Sequence, residues 1–412
     1  LTYGFSPVGD PLSRVVTNTG VVDDVASVTI ARDDSGFVTG QAIAVGASVV
    51  DRSYTYDDAH RLTEVREGGV VVEAYAYDVN GNQVFRRIGA GPTVTATFDS
   101  GDRVVAAGGV AYGYDEAGRL ISRGTDTFDV TAEGDIVTAV VGGVEVTYTY
   151  DAIGRRTSRT EGGDTTQYFH GNLGNDALVT ATIDPDGTVT EVVYDELDTL
   201  VALRRDGAWH TVLVDSVGSP VAVVDDAGVV VKEITYTAYG EIVSETGFPM
   251  SLGYIGGIHD RTTELVRLGL RDYDPVTARW LATDPAGFAA GSTNLYGYAD
   301  QSPVSRMDVT GAVSLGANFY AGAGGGASIS LTPDGVRAFC VEVGVGVGGG
   351  VGLGDLNESD APPKDSVVVE SGIGPVSVTK DVSPCGIGGT NLGVAPGLEL
   401  GGKIAYQTCI PF

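Results

Sequence analysis

The chain of 412 residues is short of positive charge, of cysteine and of long apolar runs, and each shortage excludes a class of function. Lysine and arginine number 25 against 54 aspartates and glutamates, a net charge of −29. Such a surface repels phosphate backbones and anionic lipid, so nucleic acid is excluded as a partner for the bulk of the chain. Three cysteines, Cys340, Cys385 and Cys409, are too few for a disulfide framework. One bridge with a spare thiol and three buried thiols both remain open. No run of 18 apolar residues exists, so no conventional transmembrane helix is expected. Hydrophobic residues at 42% and charged residues at 19% exclude wholesale disorder. The 61 glycines keep no three-residue period, which excludes collagen.

What the chain has is repetition. Tyr54-Thr55-Tyr56-Asp57, Tyr75-Ala76-Tyr77-Asp78, Phe98-Asp99, Tyr112-Gly113-Tyr114-Asp115 and Tyr148-Thr149-Tyr150-Asp151 recur at a loose spacing, with a degenerate copy at Phe128-Asp129. Glycine, arginine or leucine follow each pair, as in Gly118-Arg119-Leu120 and Gly154-Arg155-Arg156. Each unit reads as an alternating strand, an Asp-x-x-Gly turn and a second strand, that is, a β-hairpin. Hairpins that cannot bury their own apolar face stack into a continuous sheet. The tyrosines and aspartates of the repeats are accordingly read as scaffold, the rings packing inward and the carboxylates capping turns. Carbohydrate binding by the tyrosines is the minor alternative.

A second block is denser in motifs. Leu213-Val-Asp-Ser-Val-Gly-Ser-Pro-Val-Ala222 precedes Tyr236-Thr-Ala-Tyr-Gly-Glu241 and Leu252-Gly-Tyr-Ile-Gly-Gly257. Leu268-Gly-Leu-Arg-Asp-Tyr-Asp-Pro275, Arg279-Trp-Leu-Ala-Thr-Asp-Pro-Ala-Gly287, Asn294-Leu-Tyr-Gly-Tyr298 and Asp308-Val-Thr-Gly311 complete it. The repeats resemble the YD repeats of Rhs proteins, of the C component of Tc toxins and of teneurins, and the second block resembles the Rhs-associated core. The resemblance covers roughly residues 1–311. It implies an all-β protein: YD-repeat hairpins at 1–212 forming part of a spiralling hollow β-shell, a core at 213–311 plugging it, and a variable Gly-rich β segment at 312–412.

The same resemblance implies a single-turnover aspartyl protease acting on its own chain. Carried over residue by residue, the two carboxylates are Asp284 and Asp308, with Arg271 as a partner for a nearby carboxylate, and Asp272 and Asp274 as weaker candidates. Two carboxyls sharing a proton supply a base for water and an acid for the carbonyl. The cut is expected between Ala312 and Val313. Val309 stands where the family usually has Pro and Ala312 where it has Leu, so the carboxylates are kept while the residue that packs at the cleavage site is not. Turn capping by both aspartates is the competing reading.

The last hundred residues contain no histidine, the four being His60, His170, His210 and His259. This argues against histidine-based metal sites and nucleophiles within that segment. Its cysteines lack metal-site spacing and its glycine runs are too loose for a phosphate cradle, so no cofactor is expected. Valine-glycine alternation such as Cys340-Val-Glu-Val-Gly-Val-Gly-Val-Gly348 predicts five to seven strands in a small barrel or sandwich. A membrane-inserting hairpin is the second reading, although an aromatic girdle is missing. The chain opens at Leu1 inside a repeat and is read as part of a longer protein. Two functions follow from different classes. One is a secreted polymorphic-toxin-like shell that cuts itself and releases its C-terminal segment. The other is an uncleaved teneurin-like surface scaffold that displays that segment. The expected partners are its own C-terminal segment, the N-terminal part of the same chain, and a target-cell surface or carbohydrate. The expected location is secreted or cell-surface.

Overall fold

The computed structural model describes 2–5, 11–17 and 24–311, except 173, 174, 176, 196, 197, 286, 288–291, 309 and 310. Beyond these it describes 315–316 and the strands Tyr320–Thr332, Gly335–Gly348, Ser366–Ile373, Val376–Val382 and Lys403–Pro411. The chain divides into two compact units, with the division after Ala317.

In the first unit, 24 strands from Thr2–Phe5 to Ile242–Gly247 form one sheet, each strand pairing antiparallel with the next in sequence. Two kinds of turn alternate along this meander, and the sequence explains both. At one end of the strands lie diglycine loops. Gly68-Gly69, Gly108-Gly109, Gly142-Gly143 and Gly162-Gly163 all have positive φ, and they close two-residue hairpins such as Val141↔Val144. Only glycine adopts both central positions of that turn without strain.

At the other end are the aspartates. Asp151 Oδ1 accepts the backbone N–H groups of Ile153 and Arg155 at 3.1 and 3.0 Å, and Oδ2 accepts Arg155 Nε at 2.6 Å. Asp57, Asp99 and Asp115 repeat the arrangement with Arg61, Arg103 and Arg119. Asp78 does so with Asn82 in place of arginine. The fourth residue of each turn has positive φ, as glycine at Gly81, Gly118 and Gly154, and as His60 and Asp102 in the other two. Before Asp57, Asp78 and Asp151 stands a tyrosine at a β-bulge, for example between Thr149 and Tyr150, and its hydroxyl reaches back to the preceding turn, whereas Phe98 precedes Asp99. Tyr56 donates to Val38 O at 2.6 Å, Tyr77 to Leu62 O at 2.5 Å and Tyr150 to Ile136 O at 2.7 Å. These three Tyr-Asp pairs thus hold their own turn with the acid and the previous one with the phenol.

The copy expected at Phe128-Asp129 is displaced. Both residues lie inside the strand Asp126–Val130, Asp129 opposite Thr138, and the turn falls at Thr131–Asp135. Thr131 Oγ1 takes the aspartate's place by accepting Asp135 N at 3.3 Å, with Gly134 at positive φ.

Residues 248–311 follow this sheet and pack against it. The strands Ile258–His259, Val266–Leu268, Arg271–Asp274 and Arg279–Trp280 form a small antiparallel sheet. Tyr254, Tyr273, Trp280 and Tyr298 stack around one another, the Tyr273 and Tyr298 rings 4.4 Å apart. They share one hydrophobic cluster with Val28, Leu62 and Tyr75 of the early repeats. Gly240, at positive φ, lies so close to the Tyr254 ring that a Cβ would come within 2.3 Å of it. Buried ion pairs add to the apolar contacts: Arg156 to Asp272 at 2.8 Å, and Arg267 to Asp272 at 3.0 Å and to Asp135 at 2.6 Å.

The second unit, described by itself, is one antiparallel sheet in the order Tyr320–Thr332, Gly335–Gly348, Lys403–Pro411, Ser366–Ile373, Val376–Val382. The five described strands make a single sheet, where the sequence suggested a small barrel or sandwich. Among the described residues no helix is long and apolar enough to cross a membrane.

Two outcomes are expected. Asp151→Ala strips two backbone donors of their acceptor and should cost about 1–3 kcal/mol in urea unfolding, whereas Arg155→Ala, losing a half-exposed pair, should cost about 0–1 kcal/mol. His259 is buried, and desolvation lowers its pKa to about 3 from 6.5. The unfolded chain then binds the proton more tightly than the folded one. Stability from this group is therefore complete above pH 6.5 and is lost as pH falls toward 3, by up to a few kcal/mol. Melting temperature against pH should be flatter across that window in His259→Gln than in the parent.

Candidate active site: one arginine shared by two aspartates

Arg271 opens a strand because Leu268-Gly269-Leu270-Arg271 makes a tight hairpin, with Gly269 at positive φ and Leu268 opposite Arg271. Alternation along Arg271–Asp274 then puts Arg271 and Tyr273 on one face and Asp272 and Asp274 on the other. The Arg271 guanidinium lies 4.1 Å over the Trp280 ring. From there its Nη2 donates to Asp284 Oδ2 at 2.7 Å and to Asp308 Oδ2 at 3.2 Å. The two carboxylates carried over from the resemblance are thus brought to one nitrogen atom, from positions 13 and 37 residues away in the chain.

Each aspartate is held by local structure. Asp284 N donates to Leu295 O at 3.0 Å, and Asp284 O accepts Gly287 N at 2.9 Å, closing the Asp-Pro-Ala-Gly turn. Asp308 Oδ1 accepts Gly311 N at 2.9 Å, closing the second turn, with Gly311 at positive φ. A Cβ on Gly311 would lie 2.6 Å from Leu268 O, so a side chain there would displace the hairpin that carries Arg271. The Gly311 carbonyl in turn accepts a hydrogen bond from Arg271 Nε. One guanidinium therefore touches both carboxylates and the carbonyl of the residue before Ala312. Ala312 and Val313, the expected cleavage pair, lie outside the described residues, as does Val309.

The site is nearly dry. Asp308 is 1% exposed and the Arg271 side chain 5%, while the Asp284 side chain at 11% is the least enclosed of the three. Burial pushes the Arg271 guanidinium below the usual arginine range, and the two carboxylates oppose that shift. Arg271 Nη1 is buried with no hydrogen-bond partner among the described residues, so one donor is left over at the site. Chemically the arrangement offers a fixed positive charge, two carboxylates and a held peptide carbonyl.

The weaker candidates lie elsewhere. Asp272 is locked between Arg156 and Arg267 on the far face of the strand. Asp274 Oδ1 caps the next turn by accepting Val276 N at 2.8 Å. Trp280, the platform under Arg271, was not singled out from the sequence. The available signal was its place in Arg279-Trp280-Leu281, one of only two tryptophans in the chain. No group of residues able to hold a metal ion occurs among the described residues.

Comparison with known proteins accounts for both layers of the molecule. The family model described as teneurin YD-shell matches residues 19–304. Teneurin-4 of Mus musculus is 33% identical over 295 residues, covering 68% of this chain and 11% of its own length. Teneurin-1 of Gallus gallus is 33% identical over 300 residues, and teneurin-m of Drosophila melanogaster 30% over 264. The chain thus spans about a tenth of the length of these curated relatives. Among solved structures, the Tc holotoxin pore of Photorhabdus luminescens superposes with a TM-score of 0.52 at 15% identity, over 76% of this chain and 19% of that one, a likeness of fold. With a continuous hairpin meander and a family match over most of its length, the chain is a YD-shell scaffold and belongs to the teneurin YD-shell family.

Proposed function

We propose that this scaffold carries a self-cleaving aspartyl core that separates residues 313–412 from the rest, in the manner of a secreted polymorphic toxin. The observation that supports this reading most is the single guanidinium of Arg271 joining Asp284, Asp308 and the Gly311 carbonyl. In the reaction, one of the two carboxyls, Asp284 and Asp308, takes a proton from water. The other gives a proton to the oxygen of the scissile carbonyl as the water oxygen attacks the carbon. Collapse of the tetrahedral species breaks the C–N bond, the proton taken from water passes to the departing amine, and a hydroxyl of the tetrahedral species returns its proton to the carboxyl that gave one. Arg271 fixes the chain just ahead of the cut and neutralises charge that builds up there. The partner of the shell is then its own C-terminal segment, together with the N-terminal part of the same chain. A target-cell surface or its carbohydrate would be met outside the cell, with the protein secreted or at the cell surface.

The uncleaved, teneurin-like surface scaffold is the second reading. Val309 and Ala312, which depart from the usual cleavage motif, favour it.

The intact mass of the denatured protein separates the two. Self-cleavage gives two species meeting at the Ala312–Val313 bond in the parent chain and one full-length species in both Asp284→Asn and Asp308→Asn. A single full-length mass in the parent overturns the protease and leaves the scaffold reading. If packing at the cut limits the rate, the double substitution Val309→Pro, Ala312→Leu should raise the cleaved fraction in a time course after refolding.

A further inference from the structure

Sheet register brings Trp280 to Arg271. In the small antiparallel sheet Tyr273 stands directly opposite Trp280, and opposed residues share a face. Arg271, two residues before Tyr273, lies on that face as the diagonal neighbour of Trp280, within reach of a long side chain. The ring itself is fixed. Trp280 is 1% exposed, and its N–H donates to Tyr296 O at 3.0 Å. Tyr273 and Tyr298 meet the indole edge-on, with ring centres 5.8 and 5.7 Å away. Arg271 has no such rigidity of its own, because an arginine side chain is rich in rotamers. Its Nη2 is shared between Asp284 at 2.7 Å and Asp308 at 3.2 Å, so a small displacement would trade one carboxylate for the other. Burial also works against its charge, and an aromatic face attracts a cation where an aliphatic wall only encloses it. The indole face, 4.1 Å from the guanidinium carbon, supplies both the attraction and a plane to lie on.

We propose that Trp280 is the positioning residue of this site, its indole face holding the Arg271 guanidinium where one nitrogen serves Asp284 and Asp308 together. Trp280 touches neither carboxylate in this role and acts only through Arg271. A guanidinium held in place beforehand need not reorganise as charge develops at the site. The consequence for rate rests on the self-cleavage reading, whereas the positioning does not.

The test uses the full chain with isotope-labelled arginine and has two arms. In NMR spectra the Nε–H signal of Arg271, identified by its loss in Arg271→Met, should lie upfield of the other arginines because it sits over the indole ring current. Trp280→Leu should return it to the common range, and Trp280→Phe should leave it in between. A signal that Trp280→Leu does not move overturns the positioning. In the second arm, intact mass follows the cut in a time course after refolding. Trp280→Leu should slow it about 30-fold, the loss of a desolvated cation–π contact, and Trp280→Phe should restore most of the rate. Equal losses in the two variants, at equal urea midpoints, mean that the indole merely packs and overturn the proposal. If Trp280→Leu folds poorly, the signal in Trp280→Phe decides: it must move part-way, and an unmoved signal overturns the proposal. A parent chain that stays full length fails the self-cleavage reading and leaves the NMR arm to decide the positioning. A parent that cuts no faster than Trp280→Leu overturns this inference alone.

Discussion

The fold of the first unit depends on one small arrangement, the aspartate that closes each repeat turn. Its Oδ1 satisfies two backbone N–H groups and its Oδ2 takes the arginine four residues on, as at Asp151 and Arg155. Of these contacts the backbone ones carry the larger energy. An unsatisfied amide costs about 1–3 kcal/mol, and a half-exposed ion pair contributes about 0–1. The arginine acts chiefly as a link onward. Arg61 Nη1 donates to Asp78 O at 2.7 Å and Arg119 Nη1 to Thr131 O at 2.6 Å, each in the following turn. With the hydroxyls of Tyr56, Tyr77 and Tyr150 reaching back, neighbouring turns are tied to one another along the sheet. Neighbouring hairpins therefore hold a fixed relation at this edge, and a long meander needs such a relation if it is to enclose anything.

This economy also explains how a chain of net charge −29 keeps an ordered interior. Its scarce cations are concentrated where they meet carboxylates out of water. Arg156 lies 3.9 Å over the Tyr148 ring and pairs with Asp272. Arg159 pairs with Asp260 at 2.7 Å, and Asp260 also accepts Tyr148 Oη at 2.7 Å. These contacts run from the repeats to Asp260 and Asp272, so the segment that carries them is keyed to particular hairpins by charge as well as by shape. Removing one partner of such a pair strands the other in a dry site, which is costly even where the pair itself adds little.

How far the sequence revealed this follows from the range of each interaction. The Asp-turn and the period-2 strands are built from residues within five positions of one another, and both were legible; the diglycine turns, equally local, were not singled out. The Phe128-Asp129 copy misled because aromatic-acid spelling was matched while the turn signal, a positive-φ glycine at Gly134 with Thr131 ahead of it, lay a few residues on. Contacts such as Arg156 with Asp272, 116 residues apart, leave no local trace. The meeting of Arg271, Asp284 and Asp308 was expected through family resemblance, not through spacing. In the second unit, alternation marked the strands, but runs so alike in valine and glycine carry little to fix which strand lies next to which.

Aspartate before a turn is the commonest motif in this chain, and Asp284 and Asp308 look at first like two more of the same. Asp308 even closes a turn onto Gly311 N with its Oδ1, as Asp151 does onto Ile153. The difference lies in the second oxygen. In the repeats, Oδ2 belongs to the arginine or asparagine four residues later, at the unit's half-exposed edge, and is consumed by the turn itself. At Asp284 and Asp308 no arginine stands four residues later, and both Oδ2 atoms turn to one distant, buried guanidinium that also holds a backbone carbonyl. A turn needs none of that convergence. The same residue type, relieved of its local cation, is drawn with its counterpart to a shared and buried one.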